Sequence, residues 1–451
     1  MSDFDVVVIG AGPAGQHCAA ALAAGGLRVA IAERERVGGE CDYWACIPSK
    51  TLLRPGEALH AARVAPGAAE AATGELDVGS ALRWRDFMVS DYDDGAKADW
   101  LQDNGIALLR GDARLEGPGR VRVGGEVHGT REVVIATGSD PVIPPVPGLR
   151  DLVGVWTNRE ATAVKEIPRR LLVLGGGPVG VELAQAFRRL GAGVALVEGS
   201  SHVLPREPAA LGETLAGVLA GEGVELHVGQ HASSARQEGE EYVLGFGDGP
   251  ELRGDRLLVA TGRRPRTDGL GLETVGIAPG KRGEVPVDAR QRAAEGVWAI
   301  GDASGIWPLT YVGKYQGRIV AANLLGAERE ADYTAVPRVV FTDPQVASVG
   351  ESEGAITVTV GVREVARAST YSRAYAEEPG FMTLVSDGER LTGAHALGPE
   401  AGEWLQQATL AIRARIGLDV LEDVIQPFPT FSEIFLAAYT ALRAERGVAS
   451  A

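Results

Sequence analysis

The chain carries one supersecondary unit twice, and that repeat constrains its fold more than any other feature. FDVVVIGAGPAGQHCAAALAAGGLRVAIAERE (residues 4–35) reads as an apolar strand, a glycine turn, an alanine-rich helix and a second strand ending at Glu33. RLLVLGGGPVGVELAQAFRRLGAGVALVEGS (170–200) has the same order, and Gly10 stands as far from Glu33 as Gly175 does from Glu198. Each copy is closed by a strand plus ATG, in REVVIATGSDPVIPPVPG (131–148) and DRLLVATGRRPR (255–266); the proline-rich run 141–147 reads as a linker into the second copy. Gly10, Gly12 and Gly15 in one copy, and Gly175, Gly177 and Gly180 in the other, let the backbone approach a pyrophosphate at the positive end of the following helix. Glu33 and Glu198 would accept hydrogen bonds from ribose hydroxyls, a solvated surface acid being the plain alternative. Two dinucleotides are implied. Glu198 is followed by Gly199, Ser200, Ser201 and His202, with Arg206 farther on, so no arginine cluster awaits a 2′-phosphate and NAD(H) is favoured over NADP(H).

At roughly 150 residues per domain, 451 residues imply about three domains. Lys plus Arg total 44 against 60 Asp plus Glu, a net charge of −16, which disfavours nucleic acid and anionic membranes as partners and favours small molecules. No run of about 18 apolar residues occurs and the start MSDFD is acidic, so no membrane insertion and a cytoplasmic location are expected. EGVWAIGDASG (295–305) places a short strand before Gly301 and Asp302, and a helical segment follows near 313–325. From about Thr334 the pattern changes to strands and then amphipathic helices, an α+β third domain.

GGECDYWACIPSKTLLRP (38–55) sets Cys41 and Cys46 just before a helical stretch. In a regular helix five residues rise about 7.5 Å, beyond the roughly 7 Å limit for bridged Cα atoms, so a disulfide requires a bent segment there. Pro48 and the Gly38-Gly39 pair supply one. A zinc site needs about four ligands, and no second cysteine pair or histidine cluster lies nearby. A redox pair is the reading that remains beside two buried, inert thiols. Cys18, inside the first alanine-rich helix, is read as packing. Tyr43 and Trp44 either narrow the thiol face or simply pack.

The GGxC–CIPSK spacing, two glycine fingerprints, two ATG closures, the GD at 301–302 and FTDPQVASVG (341–350) together resemble class I pyridine nucleotide-disulfide oxidoreductases over essentially the whole chain. That family includes dihydrolipoamide dehydrogenase, glutathione reductase and mercuric reductase. The resemblance implies an α/β fold of two Rossmann-like dinucleotide-binding domains plus a C-terminal α+β dimerisation domain. FAD would occupy 1–145 with 267–333, NAD(P)H 146–266, and the homodimer would form through 334–451. By motif, the first fingerprint with Glu33, Thr137, Gly138 and Asp302 would hold FAD, and the second with Glu198 the nicotinamide dinucleotide; Gly39, Lys50 and Gly262 complete the cofactor contacts. Electrons would pass from NAD(P)H through flavin to a Cys41–Cys46 disulfide and on to an acceptor. Cys46 would be the flavin-proximal thiol and Cys41 the interchange thiol. Lys50 resembles the family lysine beside the reactive flavin nitrogen, and Glu182 its acidic partner. With only five lysines in the chain, one here points to a need for a compact ammonium, an arbitrary surface lysine being the alternative.

The pattern breaks near the C-terminus. Disulfide-reducing relatives carry HPTxxE, whose histidine and glutamate reach across the dimer as the acid–base catalyst; this chain reads PFPTFSE (427–433), with Phe428 at the histidine position and Glu433 retained. A benzyl ring cannot exchange a proton, and such help is typically worth about 10² to 10⁴ in rate, so ordinary dithiol turnover should be impaired. His395 is read as a plain surface or core histidine rather than a substitute. The tail RAERGVASA lacks the cysteine pair of mercuric reductases and the redox tail of large thioredoxin reductases. The acceptor is left among a disulfide, a quinone and a metal ion. Phe428 also resembles 2-ketopropyl-coenzyme M oxidoreductase/carboxylase, making thiol-dependent cleavage or carboxylation one alternative; a flavin-binding sensor or assembly subunit without turnover is another.

Overall fold

The computed structural model describes residues 2–247, 249–371 and 379–449. The chain gathers into two compact units, one of Met1–Pro48, Arg83–Val142 and Gly262–Asp332, the other of Ser49–Leu82, Ile143–Thr261 and Tyr333–Ala451.

The first unit is built on an eight-stranded sheet whose central strands run in the order Val297–Ala299, Glu126–Ile135, Phe4–Ile9, Val29–Glu33 and Ile106–Arg110, all parallel. A strand buried on both faces reads as a continuous apolar run, and VVVI and VAIA do. Because side chains alternate, Val6, Val8 and Ile31 enter one core while Val7, Ile9, Ala30 and Ala32 enter another on the opposite face. Helices Pro13–Ala24 and Thr310–Leu324 pack through small residues: a Cβ at Gly313 would lie 3.0 Å from Ala14 Cβ, and one at Gly317 would lie 3.2 Å from Cys18 Cβ. Cys18 is fully buried, and burial pushes its thiol up to about 12.

In the second unit a four-stranded parallel sheet runs Val224–Val228, Gly193–Glu198, Arg170–Leu174, Arg256–Val259. The same alternation sends Leu171, Val173 and Leu196 to one core and Leu172, Leu174 and Val197 to another. Residues from 338 onward form a five-stranded antiparallel sheet ordered Arg338–Val340, Gln345–Gly350, Leu391–Gly398, Phe381–Ser386, Ile356–Gly361. Helices Gln406–Arg413 and Ile434–Ala449 share a core with it, giving the α+β arrangement expected. His395 lies in that sheet, buried, with Nε2 2.8 Å from the Glu351 carbonyl oxygen; burial holds its pKa below the ordinary value. It is a core histidine. Among the described residues no helix is long and apolar enough to cross a membrane.

Candidate active site

In the first unit the glycine turn has the shape a pyrophosphate needs. Gly10 has φ +105°, and a Cβ on it would lie 2.4 Å from the Ala136 carbonyl oxygen; a Cβ on Gly15 would lie 2.0 Å from the Gly10 oxygen. Nothing stands within 4 Å of where a Gly12 Cβ would be, which leaves open space at the head of the helix. Gly39, with φ +59°, approaches so closely that its Cβ would sit 3.0 Å from Gly12 Cα. Glu33 ties the turn to its strand: Oε2 accepts from Ala11 N at 2.8 Å and Oε1 from Glu35 N at 2.8 Å. Thr137 Oγ1 is buried and has no partner among the described residues, a hydroxyl waiting for a ligand atom, and Gly138 beside it has φ +75°. Asp302 accepts from Ser139 Oγ at 2.5 Å, and Arg263 donates to that same oxygen at 2.8 Å. A group with a diphosphate and a polyhydroxyl chain fits this cradle, as FAD would require.

The two thiols lie in the same unit. Helix Gly39–Tyr43 ends at Trp44 (φ −136°) and a new helix begins at Cys46, the bend that the cysteine spacing requires. The sulfurs are unbridged in this structure, and one hydroxyl serves both: Thr310 Oγ1 donates to Cys41 Sγ at 3.4 Å and lies 3.3 Å from Cys46 Sγ. Its contact with Cys46, and then burial, push the Cys41 thiol far up, so it holds its proton in this arrangement. Tyr43 and Trp44 turn into a small aromatic cluster with Val89, under the Arg36 guanidinium at 5.9 and 5.5 Å from their rings. They pack.

The second unit reproduces the first copy's hydrogen bonds. Glu198 Oε2 accepts from Gly176 N and Oε1 from Ser200 N, each at 2.7 Å. A Cβ on Gly180 would lie 1.9 Å from the Gly175 oxygen, while the position beside Gly177 is open; Gly262, which begins a segment of the first unit, also has open space beside it. Lys50 Nζ donates to Glu182 Oε2 at 2.6 Å, with the lysine side chain 36% exposed and the glutamate 6%. Glu182 Oε1 accepts from Phe341 N at 2.9 Å.

Phe428 and Glu433 fall in the segment leading into the last helix. Phe428 is 74% exposed, and Glu433 Oε2 accepts from Thr430 N at 3.3 Å, capping its own turn. Among the described residues no cluster of three metal-ligating side chains occurs. Thr310 and Phe341 escaped the sequence reading as site residues, Thr310 because no motif spacing links it to cysteines more than 260 positions away.

Residues 4–317 match the family model for pyridine nucleotide-disulphide oxidoreductase, and 336–439 match that family's dimerisation domain. The chain is 39% identical to a dihydrolipoyl dehydrogenase of Thermus scotoductus, over 98% of both chains. It is 37% identical to a mercuric reductase of Acidithiobacillus ferrooxidans, over 98% of this chain and 83% of that one. The Cu(II) complex of the HOCl-induced flavoprotein disulfide reductase RclA from Escherichia coli superposes with a TM-score of 0.86 at 28% identity, covering 98% of this chain and all of that one. The chain therefore belongs to the pyridine nucleotide-disulphide oxidoreductase family, as an FAD-dependent enzyme that exchanges electrons with a pyridine nucleotide and carries the family's dimerisation domain.

Proposed function

We propose that the enzyme oxidises NADH and passes the electrons through Cys41 and Cys46 to a thiophilic metal ion, Cu(II) or Hg(II), as substrate. The observation that carries this reading is Phe428 where a proton-exchanging histidine would stand, with the third domain's one histidine, His395, buried in its sheet. A disulfide substrate leaves as a thiolate that must gain a proton, and the attacking thiol must lose one. A soft metal ion needs neither service, because it displaces thiol protons by binding the sulfurs. Mercuric reductases among the relatives, and the Cu(II) complex of RclA, support the same class of acceptor.

When bound, FAD supplies two-electron exchange with the nicotinamide. Glu33, the first glycine turn, Gly39, Thr137, Gly138 and Asp302 would hold it; Glu198, the second turn and Gly262 would hold NADH, with the Glu198 carboxylate unfavourable to a 2′-phosphate. Lys50, paired with Glu182, would serve the reactive flavin nitrogen. Reduction opens the Cys41–Cys46 disulfide with two electrons and two protons. The dithiol then gives its two electrons to two Cu(II), releasing two Cu(I) and two protons and re-forming the disulfide. Thr310 stabilises negative charge on either sulfur. The active species is a homodimer with Glu433 contributed across the interface, in the cytoplasm.

The test is anaerobic turnover with NADH, following Cu(I) with a chromogenic chelator and, separately, lipoamide reduction. Cu(II) turnover that is lost in Cys41→Ser and Cys46→Ser is expected. Lipoamide turnover exceeding metal turnover would overturn the choice of acceptor, and preference for NADPH at equal concentration would overturn the Glu198 argument.

A further inference from the structure

We propose that Phe341 is a positioning residue that holds the Lys50 ammonium at its working place through the face of its ring. The inference rests on Lys50 serving hydride transfer. Lysine is a compact charge on a flexible stem, and a partly exposed ammonium held by one carboxylate and, at 3.3 Å, by the adjoining Ser49 hydroxyl keeps several rotamers. Here a second element limits it: Lys50 Nζ sits 4.7 Å from the centroid of the Phe341 ring, whose negative face attracts a cation. The same residue acts on the other partner, since Phe341 N donates to Glu182 Oε1 while Lys50 uses Oε2. One residue thus orients both the acid and the ammonium.

Burial does not account for a phenylalanine here, because Phe341 is 42% exposed. Its backbone is fixed two residues on. Asp343 N donates to Gln185 Oε1 at 2.8 Å, and Asp343 O accepts from Gln185 Nε2 at 2.8 Å. Its carboxylate accepts from Arg189 Nη1 at 2.8 Å and lies 2.8 Å from His60 Nδ1. Glu182, Gln185 and Arg189 follow one another along a single face of helix Pro178–Arg189, so the segment 341–343 is clamped beside the carboxylate it orients.

The test compares Phe341→Leu and Phe341→Tyr in the FAD-loaded enzyme by stopped-flow reduction with NADH and by the flavin absorption spectrum. From the usual strength of such contacts, the Leu variant should reduce about three- to tenfold more slowly, with a shifted flavin spectrum, while the Tyr variant keeps both. In a Lys50→Met background Phe341→Leu should cost nothing further. A Leu variant with wild-type rate and spectrum, a Tyr variant as slow as Leu, or an undiminished effect without Lys50 would each overturn the proposal. Phe341→Met serves if the Leu variant does not fold. A wild-type flavin that NADH does not reduce would instead overturn the functional reading and, with it, this role.

Discussion

The matched carboxylates Glu33 and Glu198 allow the two halves of the repeat to be assigned by one substitution made twice. Each accepts two backbone N–H bonds of 2.7–2.8 Å, one from the residue after the first glycine and one from the residue two positions downstream. Replacing either with Gln keeps one acceptor and turns an amide N–H₂ toward the other N–H, so one charge-assisted bond is lost and one donor is left facing a donor. Hydrogen bonds to charged groups contribute roughly 1.5–3 kcal/mol, which at about 1.4 kcal/mol per decade corresponds to a roughly 10- to 100-fold loss of affinity. Glu33→Gln should therefore release FAD, measured as flavin lost on gel filtration and as a weaker FAD Kd, with the NADH KM unchanged. Glu198→Gln should raise the NADH KM by the same factor with FAD retained. A Glu33→Gln enzyme that keeps full FAD occupancy while losing NADH affinity would reverse the assignment and refute the reasoning.

Phe428→His should raise lipoamide reduction at least tenfold, since the removed service is typically worth about 10² to 10⁴; steady-state assay with no gain would show that this position does not restrict the acceptor. Burial raises the Asp343 carboxyl, but the His60 hydrogen bond and the Arg189 charge outweigh it and leave its pKa below the ordinary 3.8. A depressed folded pKa stabilises the protein above the unfolded value and loses that stability as pH falls through the folded one. Asp343→Asn should thus destabilise at neutral pH, toward the lower end of roughly 3–5 kcal/mol because Arg189 keeps Glu222, and the deficit should shrink below about pH 4 in urea titrations. Native alkylation of the NADH-reduced enzyme near pH 8 should label the partly exposed Cys41 and Cys46 and spare Cys18, which is fully buried; peptide mass mapping checks this.

What the sequence made legible was what chemistry forces into short stretches. A glycine turn, its helix and the acid that ties the turn to the next strand must lie within one supersecondary unit, so Gly10 to Glu33 and Gly175 to Glu198 could be read directly. The bend between Cys41 and Cys46 was likewise implied by helix geometry. What stayed hidden was pairing across long chain separations. Thr310 between the sulfurs, Phe341 over Lys50, and Asp343 between His60 and Arg189 join segments that no local period relates. The identity of Lys50 was visible, but its fixed direction was not.

The close seating of helix Thr310–Leu324 on helix Pro13–Ala24 leaves no slack between a nucleotide loop and a pair of sulfurs. Thr310 opens one helix, the glycine turn opens the other, and a Cβ at Gly317 would already lie 3.1 Å from the Ala14 carbonyl oxygen and 3.2 Å from Cys18 Cβ, closer than ordinary van der Waals contact. The glycine turn at the head of one helix and the Thr310 hydroxyl at the head of the other are therefore fixed relative to each other by one close-packed contact, which a larger side chain at Gly313 or Gly317 would pry apart.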